Sequence, residues 1–204
     1  MSRRLIILGG GGHAHSVADV ALSLDTTRQL LFVDPVATDG QMILGFPVIQ
    51  EMPVDENSDY FVAIGDNLKR SELLEDITGQ NIISIVASDA HIGKDVRLAG
   101  GVFIGHQAYI GPEVNIAEGV IINTRAIIEH EVSMDRYSQV GPQAIIAGRT
   151  KIGTNTFIGL AARVIDRLSI GPDIVVGAGA VVVKDIYDPG TYIGVPAKRI
   201  KIEK

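Results

Sequence analysis

Every sixth residue from Val86 to Val182 is a bulky aliphatic residue or Met, seventeen positions without a slip in register. The series runs through Ile92, Leu98, Ile104, Ile110, Ile116, Ile122, Ile128 and Met134 and continues to Ile170, Val176 and Val182. Gly often follows, as at Gly93, Gly105, Gly111, Gly141, Gly153 and Gly159. Four places on, the residue is mostly small or β-branched, as at Ala108, Val120, Ala126, Thr150 and Ala162. A period of six fits neither the 3.6 of an α-helix nor the alternation of an amphipathic strand. It fits a β-solenoid in which each hexad is a short strand plus a turn and equivalent positions stack. Three hexads close one triangular coil of eighteen residues, so the run makes between five and six coils. At a spacing of about 4.8 Å the prism is about 27 Å tall. No inserted loop is expected, because the register never breaks. The frame is lost at Asp188-Pro189-Gly190, and Tyr192–Ile200 reads as a turn and a packing strand.

Residues 4–87 alternate strand, loop and helix. Arg4–Leu8 reads as a buried strand, Gly9–His13 as a glycine loop, and Ala14–Leu24 as a helix with Val17, Val20, Ala21 and Leu24 on one face. Leu30–Asp34 and Tyr60–Gly65 read as further strands, Lys69–Ile77 as a second helix, and Asn81–Ala87 as a strand feeding the solenoid. Such alternation predicts a short parallel sheet, about half of a dinucleotide fold. The expected division is therefore 1–85 for a Rossmann-like α/β unit and 86–204 for the solenoid with its tail.

Charge separates the same two parts. Residues 1–85 carry 5 Lys/Arg against 12 Asp/Glu, and residues 86–204 carry 13 against 12. A nucleic-acid partner is not expected, because phosphate neutralisation needs a basic face. The chain has no Cys, which removes disulfides, thiolate nucleophiles and Cys-bound metals. The apolar run Leu5–Leu8 is too short for a signal segment, and no segment is long enough to span a membrane. These features are compatible with the cytoplasm.

Two places stand out chemically. In Gly9-Gly10-Gly11-Gly12-His13-Ala14 a glycine loop follows a strand and opens a helix, so backbone N–H groups can meet a phosphate. Asp34, at the end of the next strand, can accept from ribose hydroxyls. The alternative is a tight strand–helix turn with no ligand, and a unit of about 85 residues has room for one mononucleotide half. The second place is Glu129-His130-Glu131. His130 is third in its hexad and points outward, with Pro112 one coil below and Gly148 one coil above, which leaves a shelf beside the imidazole. Glu131 can hold one ring nitrogen and fix the tautomer of a general base. The alternative is a solvated histidine between two acids. His15, His91 and His106 are weaker candidates, and a three-histidine zinc site across an oligomer interface is conceivable. Arg149, Lys151, Arg163, Arg167 and Lys184 either meet an anionic cofactor or are solvated.

Five segments together resemble one family: GGGGHA at 9–14, FVAIGDN at 61–67, IINTRAIIEHE at 121–131, AGRTKIG at 147–153 and YIGVPAKRI at 192–200. With the hexads they cover nearly the whole chain. The pattern resembles the sugar O-/N-acyltransferases of the sialic-acid acetyltransferase type, above all the bacterial UDP-4-amino-sugar N-acetyltransferases of the bacillosamine kind. The resemblance implies a left-handed parallel β-helix, a homotrimer, and acetyl-CoA in the groove between prisms. It implies nucleotide-sugar contacts at Gly11, Gly12, His13, Asp34, Gly65, Asp66 and Asn67, with Asn123 near the reacting groups. His130 matches the base and Glu131 its acidic partner; the Gly148 N–H matches an oxyanion donor. Gln139, Gly148, Leu160 and Ala178 fall where the coenzyme lies. Direct attack of a sugar amine on the thioester follows, without a covalent intermediate or a metal.

Two departures matter. The family commonly has His where Gln139 stands, and Gln cannot carry a proton. A second acidic residue after Asp34 is replaced by Pro35, which bears on the choice of UDP over dTDP or GDP. Competing expectations are O-acetylation of sialic acid or another sugar hydroxyl, a non-catalytic trimeric binding or assembly protein, and, more remotely, a nicotinamide-dependent enzyme.

Overall fold

The computed structural model describes residues 3–53 and 55–200; the outermost residues of both expected units, 1–2 and 201–204, lie outside these, as does Val54. The N-terminal unit is built from β1 (Leu5–Leu8), α1 (Gly12–Leu24), β2 (Leu30–Val33), β3 (Met42–Ile43), β4 (Phe46–Ile49), β5 (Asp59–Val62) and α2 (Asn67–Asp76). The five strands lie in the order β3-β4-β2-β1-β5. β2, β1, β5 and β4 are parallel, and β3 folds back antiparallel on β4. The central strand β1 is buried along its whole length, which is why it reads as an unbroken apolar run. The β3–β4 hairpin was not foreseen. Its strand β4 carries Pro47 and its pattern is weak, but Val48 completes the sheet beside Phe32. The expected strand 81–87 divides: Ile82 bridges Tyr60 in the α/β sheet, whereas Ile85–Val86 already pairs with Phe103–Ile104 in the solenoid.

From Ile85 onward the chain winds a left-handed parallel β-helix with three faces. The first face begins at Ile85–Val86, the second at His91–Ile92 and the third at Arg97–Leu98, and strands on each pair at eighteen-residue intervals. The hexad position that recurs through Ile104, Ile110, Ile116, Ile128, Ile146 and Ile158 is fully buried, as are Ala108, Val120, Ala126 and Ala162 four places on. The residue between them turns the corner in the left-handed region, from Asp95 and Glu113 to Glu131, Arg149 and Arg167, with φ near 60°. An L-residue is disfavoured there by about 1–2 kcal/mol. The strain is offset by a ladder, because each corner N–H donates to a carbonyl of the coil below, as from Glu131 to Pro112 and from Arg149 to His130. Where Gly follows the core residue the coils can stack closely: a Cβ at Gly93 would lie 2.6 Å from the carbonyl carbon of Gly111. The lowest coil departs from the pattern, since Ile92 and Leu98 are 43% and 41% exposed. They have no coil beneath them.

The tail returns as Gly190–Ile193, parallel to the last strand of the first face, followed by antiparallel Lys198–Ile200. The α/β unit packs on the lower part of the first face, where Ile85, Phe103 and Ile121 join the core formed by Ala14, Val17, Ala18 and Phe61. Arg70 of α2 seals this seam. It is fully buried, and its guanidinium donates to the carbonyls of Gly119 at 2.7 Å, Tyr137 at 2.6 Å and Ile64 at 2.9 Å, and to the Asn67 side chain at 2.8 Å. Two of those carbonyls belong to the prism and one to the loop after β5.

Candidate active site

The corner between the second and third faces carries His130. Its Nδ1 lies 2.8 Å from Glu131 Oε2, and about 40% of the side chain is exposed. With a carboxylate at that distance, the proton belongs on Nδ1 and the Nε2 lone pair points outward. Gly148 sits directly above. A Cβ there would fall 2.5 Å from His130 Cε1 and 2.6 Å from Nε2, so the imidazole occupies the space a side chain would need. The Gly148 carbonyl accepts from Arg167, while its N–H has no acceptor among the described residues. This corner therefore presents a ring nitrogen able to take a proton beside a backbone donor able to meet an oxyanion.

The glycine loop lies elsewhere on the same chain. Gly11 caps the N-terminus of α1, and Cβ atoms built on Gly11 or Gly12 would meet nothing within 4 Å. That open space beside the first helical turn suits a phosphate. His13 is turned inward, edge-on to Phe103 at 4.9 Å, with a buried Nε2 that has no hydrogen-bond partner. Burial, and then the positive charge of Arg70, push its pKa down to about 4. His13 is thus neutral near pH 7.

The other expected contacts of this unit are already engaged in shaping it. Asp34 Oδ2 accepts from the Gly10 N–H at 2.8 Å and Oδ1 from the Val36 N–H at 3.1 Å. Asp66 caps α2 by accepting from the Lys69 N–H at 3.0 Å. Asn67 accepts from Arg70 and donates to the Asn155 carbonyl of the prism at 2.7 Å. Gly65 lies beside them, its carbonyl 3.4 Å from the same guanidinium. A crevice of about 280 Å³ opens at the carboxyl ends of β1 and β2, lined by Gly9, Asp34, Pro35, Gln50, Ile64 and Asp76 among others. It lies outside the carboxyl ends of the parallel strands, the usual ligand position in such sheets. Gln50 and Asp76 carried no sequence signal; they reach the crevice only through the fold.

The remaining expected residues follow the corners. Asn123, Leu160 and Ala178 lie at the turns from the first face to the second, and Gln139 points outward on the first face above the α/β unit. Within one chain, then, His130, Glu131 and Gly148 gather at one edge of the second face, and Asn123, Leu160 and Ala178 at its other edge. His91 stacks on Tyr109, and His106 lies between Asp89 at 2.7 Å and Asp19 of α1 at 3.4 Å, a surface tie across the seam. Among the described residues no group of three or more His, Asp or Glu could hold a metal, and no helix is long and apolar enough to cross a membrane.

Comparison with known proteins agrees with this architecture. The PglD N-terminal domain model matches residues 4–77. A histidine-to-alanine variant of GDP-perosamine N-acetyltransferase from Caulobacter crescentus, in complex with CoA and GDP-perosamine, superposes with a TM-score of 0.92 at 32% identity, over 99% of each chain. The acetyltransferase domain of PglB from Neisseria gonorrhoeae FA1090 gives 0.93 at 30% identity, over 98% of this chain and 100% of that one. WeeI from Acinetobacter baumannii AYE, 21% identical over 98% of this chain and 100% of its own with a TM-score of 0.91, shares the fold. No curated protein matches by sequence. The chain belongs to the family of sugar N-acetyltransferases that join a PglD-type α/β domain to a left-handed β-helix.

Proposed function

We propose that the protein transfers the acetyl group of acetyl-CoA to the amine of a nucleotide-linked 4-amino-deoxysugar, with His130 as general base. The observation that carries this reading is the stack of His130 on Gly148 with Glu131 on Nδ1. Relatives at 31–32% identity were solved with acetyl coenzyme A in one case and with CoA and GDP-perosamine in another.

In the reaction the unprotonated amine attacks the thioester carbonyl. Nε2 of His130 takes a proton as the C–N bond forms, and Glu131 stabilises the imidazolium; such a base contributes about 10²–10⁴-fold. The Gly148 N–H meets the tetrahedral oxyanion, a donor whose loss costs about 3–4 kcal/mol. Asn123 lies near the reacting groups, and Gln139, Gly148, Leu160 and Ala178 line the coenzyme groove. Gly11, Gly12 and His13 receive the diphosphate, with Asp34, Gly65, Asp66 and Asn67 shaping the nucleotide side. Uridine is the base the resemblance implies; the transfer step does not depend on it. Both co-substrates point to the cytoplasm, and no metal takes part.

The site is shared between copies in a homotrimer. The second face presents outward the column His91, Tyr109, Ile127, Ile145, Arg163 and Val181, apolar at its centre through Ile127 and Ile145. Packing these faces around a three-fold axis is a heterologous contact that closes. It brings the His130 edge of one copy to the Asn123 and Leu160 edge of the next, and so completes the groove.

The test is thiol release from acetyl-CoA with UDP-, dTDP- and GDP-linked 4-amino sugars and with sialic acid, for wild type and His130→Ala. Release with an amino-sugar nucleotide, reduced about 100-fold or more in the variant, is expected. Release with sialic acid alone would replace the reading by O-acetylation. Full activity in a well-folded His130→Ala protein would remove His130 as the base.

A further inference from the structure

Two columns of side chains climb the corner that holds His130. The third hexad position reads Lys94, Pro112, His130, Gly148, Asp166 from the bottom up, and the fourth reads Asp95, Glu113, Glu131, Arg149, Arg167. The stacking is explicit in the backbone: the N–H of Glu113, Glu131, Arg149 and Arg167 donates to the carbonyl of Lys94, Pro112, His130 and Gly148 respectively. The fourth column is acidic through Glu131 and basic from Arg149 upward. The sign changes between the coil of the base and the coil of the oxyanion donor.

Glu131 is held from both sides of that boundary. Its Oε2 lies 2.8 Å from His130 Nδ1 and 3.8 Å from Arg149 Nη1. Arg149 is tethered in turn by Asp166, 3.4 Å from Nη2, and Arg167 Nε lies 3.7 Å from the same Asp166 carboxylate. The charged groups stacked about His130 are thus Glu129 and Glu131 on its own turn, Glu113 one coil below, Arg149 one coil above, and Asp166 and Arg167 beyond it. Of these carboxylates Glu131 bears on the imidazole directly, and Arg149 is the cation placed against it.

We infer that Arg149 is a positioning residue for the base: it shares the Glu131 carboxylate with His130 and so tempers the negative charge which that carboxylate presents to the imidazole. The inference rests on the assignment of His130 as base. In this arrangement Arg149 acts through Glu131, 3.8 Å from its guanidinium. Because the three side chains are 40–47% exposed, the electrostatic effect is modest rather than decisive.

The sign follows from the charges. Without Arg149 the full negative charge of Glu131 bears on His130, the imidazolium gains stability, and the acid limb of the rate profile moves to higher pH. For Arg149→Gln the expected result is about a 3-fold loss of rate on the acid limb that disappears on the alkaline plateau. Arg149→Lys, which keeps the charge, should return the limb to its wild-type position. The profiles would be recorded as kcat against pH at saturating acetyl-CoA, with trimer mass checked by light scattering. An equal loss at every pH would overturn the inference in favour of a structural role. A raised KM for acetyl-CoA with the limb unmoved would overturn it in favour of a coenzyme contact. His130→Ala separates the two levels: if that variant is inactive while Arg149→Gln leaves the limb in place, the base assignment stands and this inference falls.

Discussion

The corner at His130 and the seam at Arg70 use polar side chains in opposite ways. At the corner the groups that matter are left open: His130 Nε2 faces outward and the Gly148 N–H has no acceptor among the described residues. At the seam nearly every polar group is spent. Arg70 is fully buried against three carbonyls and Asn67, while Asp34 and Asp66 hold backbone N–H groups of their own loops. A regular prism can leave chemistry exposed, because its backbone ladder needs no help from outward side chains. The α/β unit has no such ladder across the seam and must use side chains to fix its shape. In this unit the groups left for the proposed nucleotide-sugar are the open Gly11–Gly12 turn and the lone pairs that remain.

Breaking each side of this contrast gives different results. Gly148→Ala places a methyl where the His130 ring lies, so the ring must swing off Glu131. Turnover should fall about 100-fold or more with an unchanged melting temperature, since an exposed side chain moves at little cost. Arg70→Met should instead lower stability by about 3–5 kcal/mol, because buried carbonyls of both units lose their donor. Urea unfolding measures it, and an equally stable variant would show that the seam does not depend on this residue.

His13 sharpens the contrast through pH. Its pKa is about 4 in the folded protein against 6.5 for the free side chain. The unfolded chain therefore binds more protons between these values, and the native state loses stability as pH falls from 6.5 towards 4. The loss attributable to this group approaches about 3 kcal/mol at the acid end. His13→Asn should flatten that part of the curve in denaturation series at pH 7 and pH 4.5. Smallest is Gly12→Val. Its side chain enters open space, so folding is unaffected, but it fills the phosphate cradle and should weaken nucleotide-sugar binding about 10-fold by calorimetry.

The difference between the two regions also governs what the sequence makes legible. The hexads announce the core, the corners and the column in which Gly148 stands over His130, because a fixed period turns sequence distance into spatial distance. Only the three lowest members depart, Val86 half-buried and Ile92 and Leu98 exposed, and they have no coil beneath. In the α/β unit the strands and helices are readable but their partners are not. Arg70 lies in NLKRSE, which reads as a solvated helix face, and nothing local shows that the prism will bury it. Asp66 and Asn67 read as ligands, yet the fold engages them as a helix cap and a tie to Asn155. The short β3–β4 hairpin was masked by Pro47 and a two-residue partner strand. Arg149 was visible as one of several cations, and its place beside Glu131 emerges only when the coils are stacked.

The most direct test of a site completed between copies is subunit complementation. His130→Ala chains and Gly12→Val chains, each deficient alone, are unfolded together, refolded as an equal mixture and assayed for thiol release. If the base of one copy serves the nucleotide loop of another, random closed trimers contain sites with both parts intact, and about a quarter of wild-type activity should return. Activity no higher than the average of the two variants measured separately would contradict a shared site.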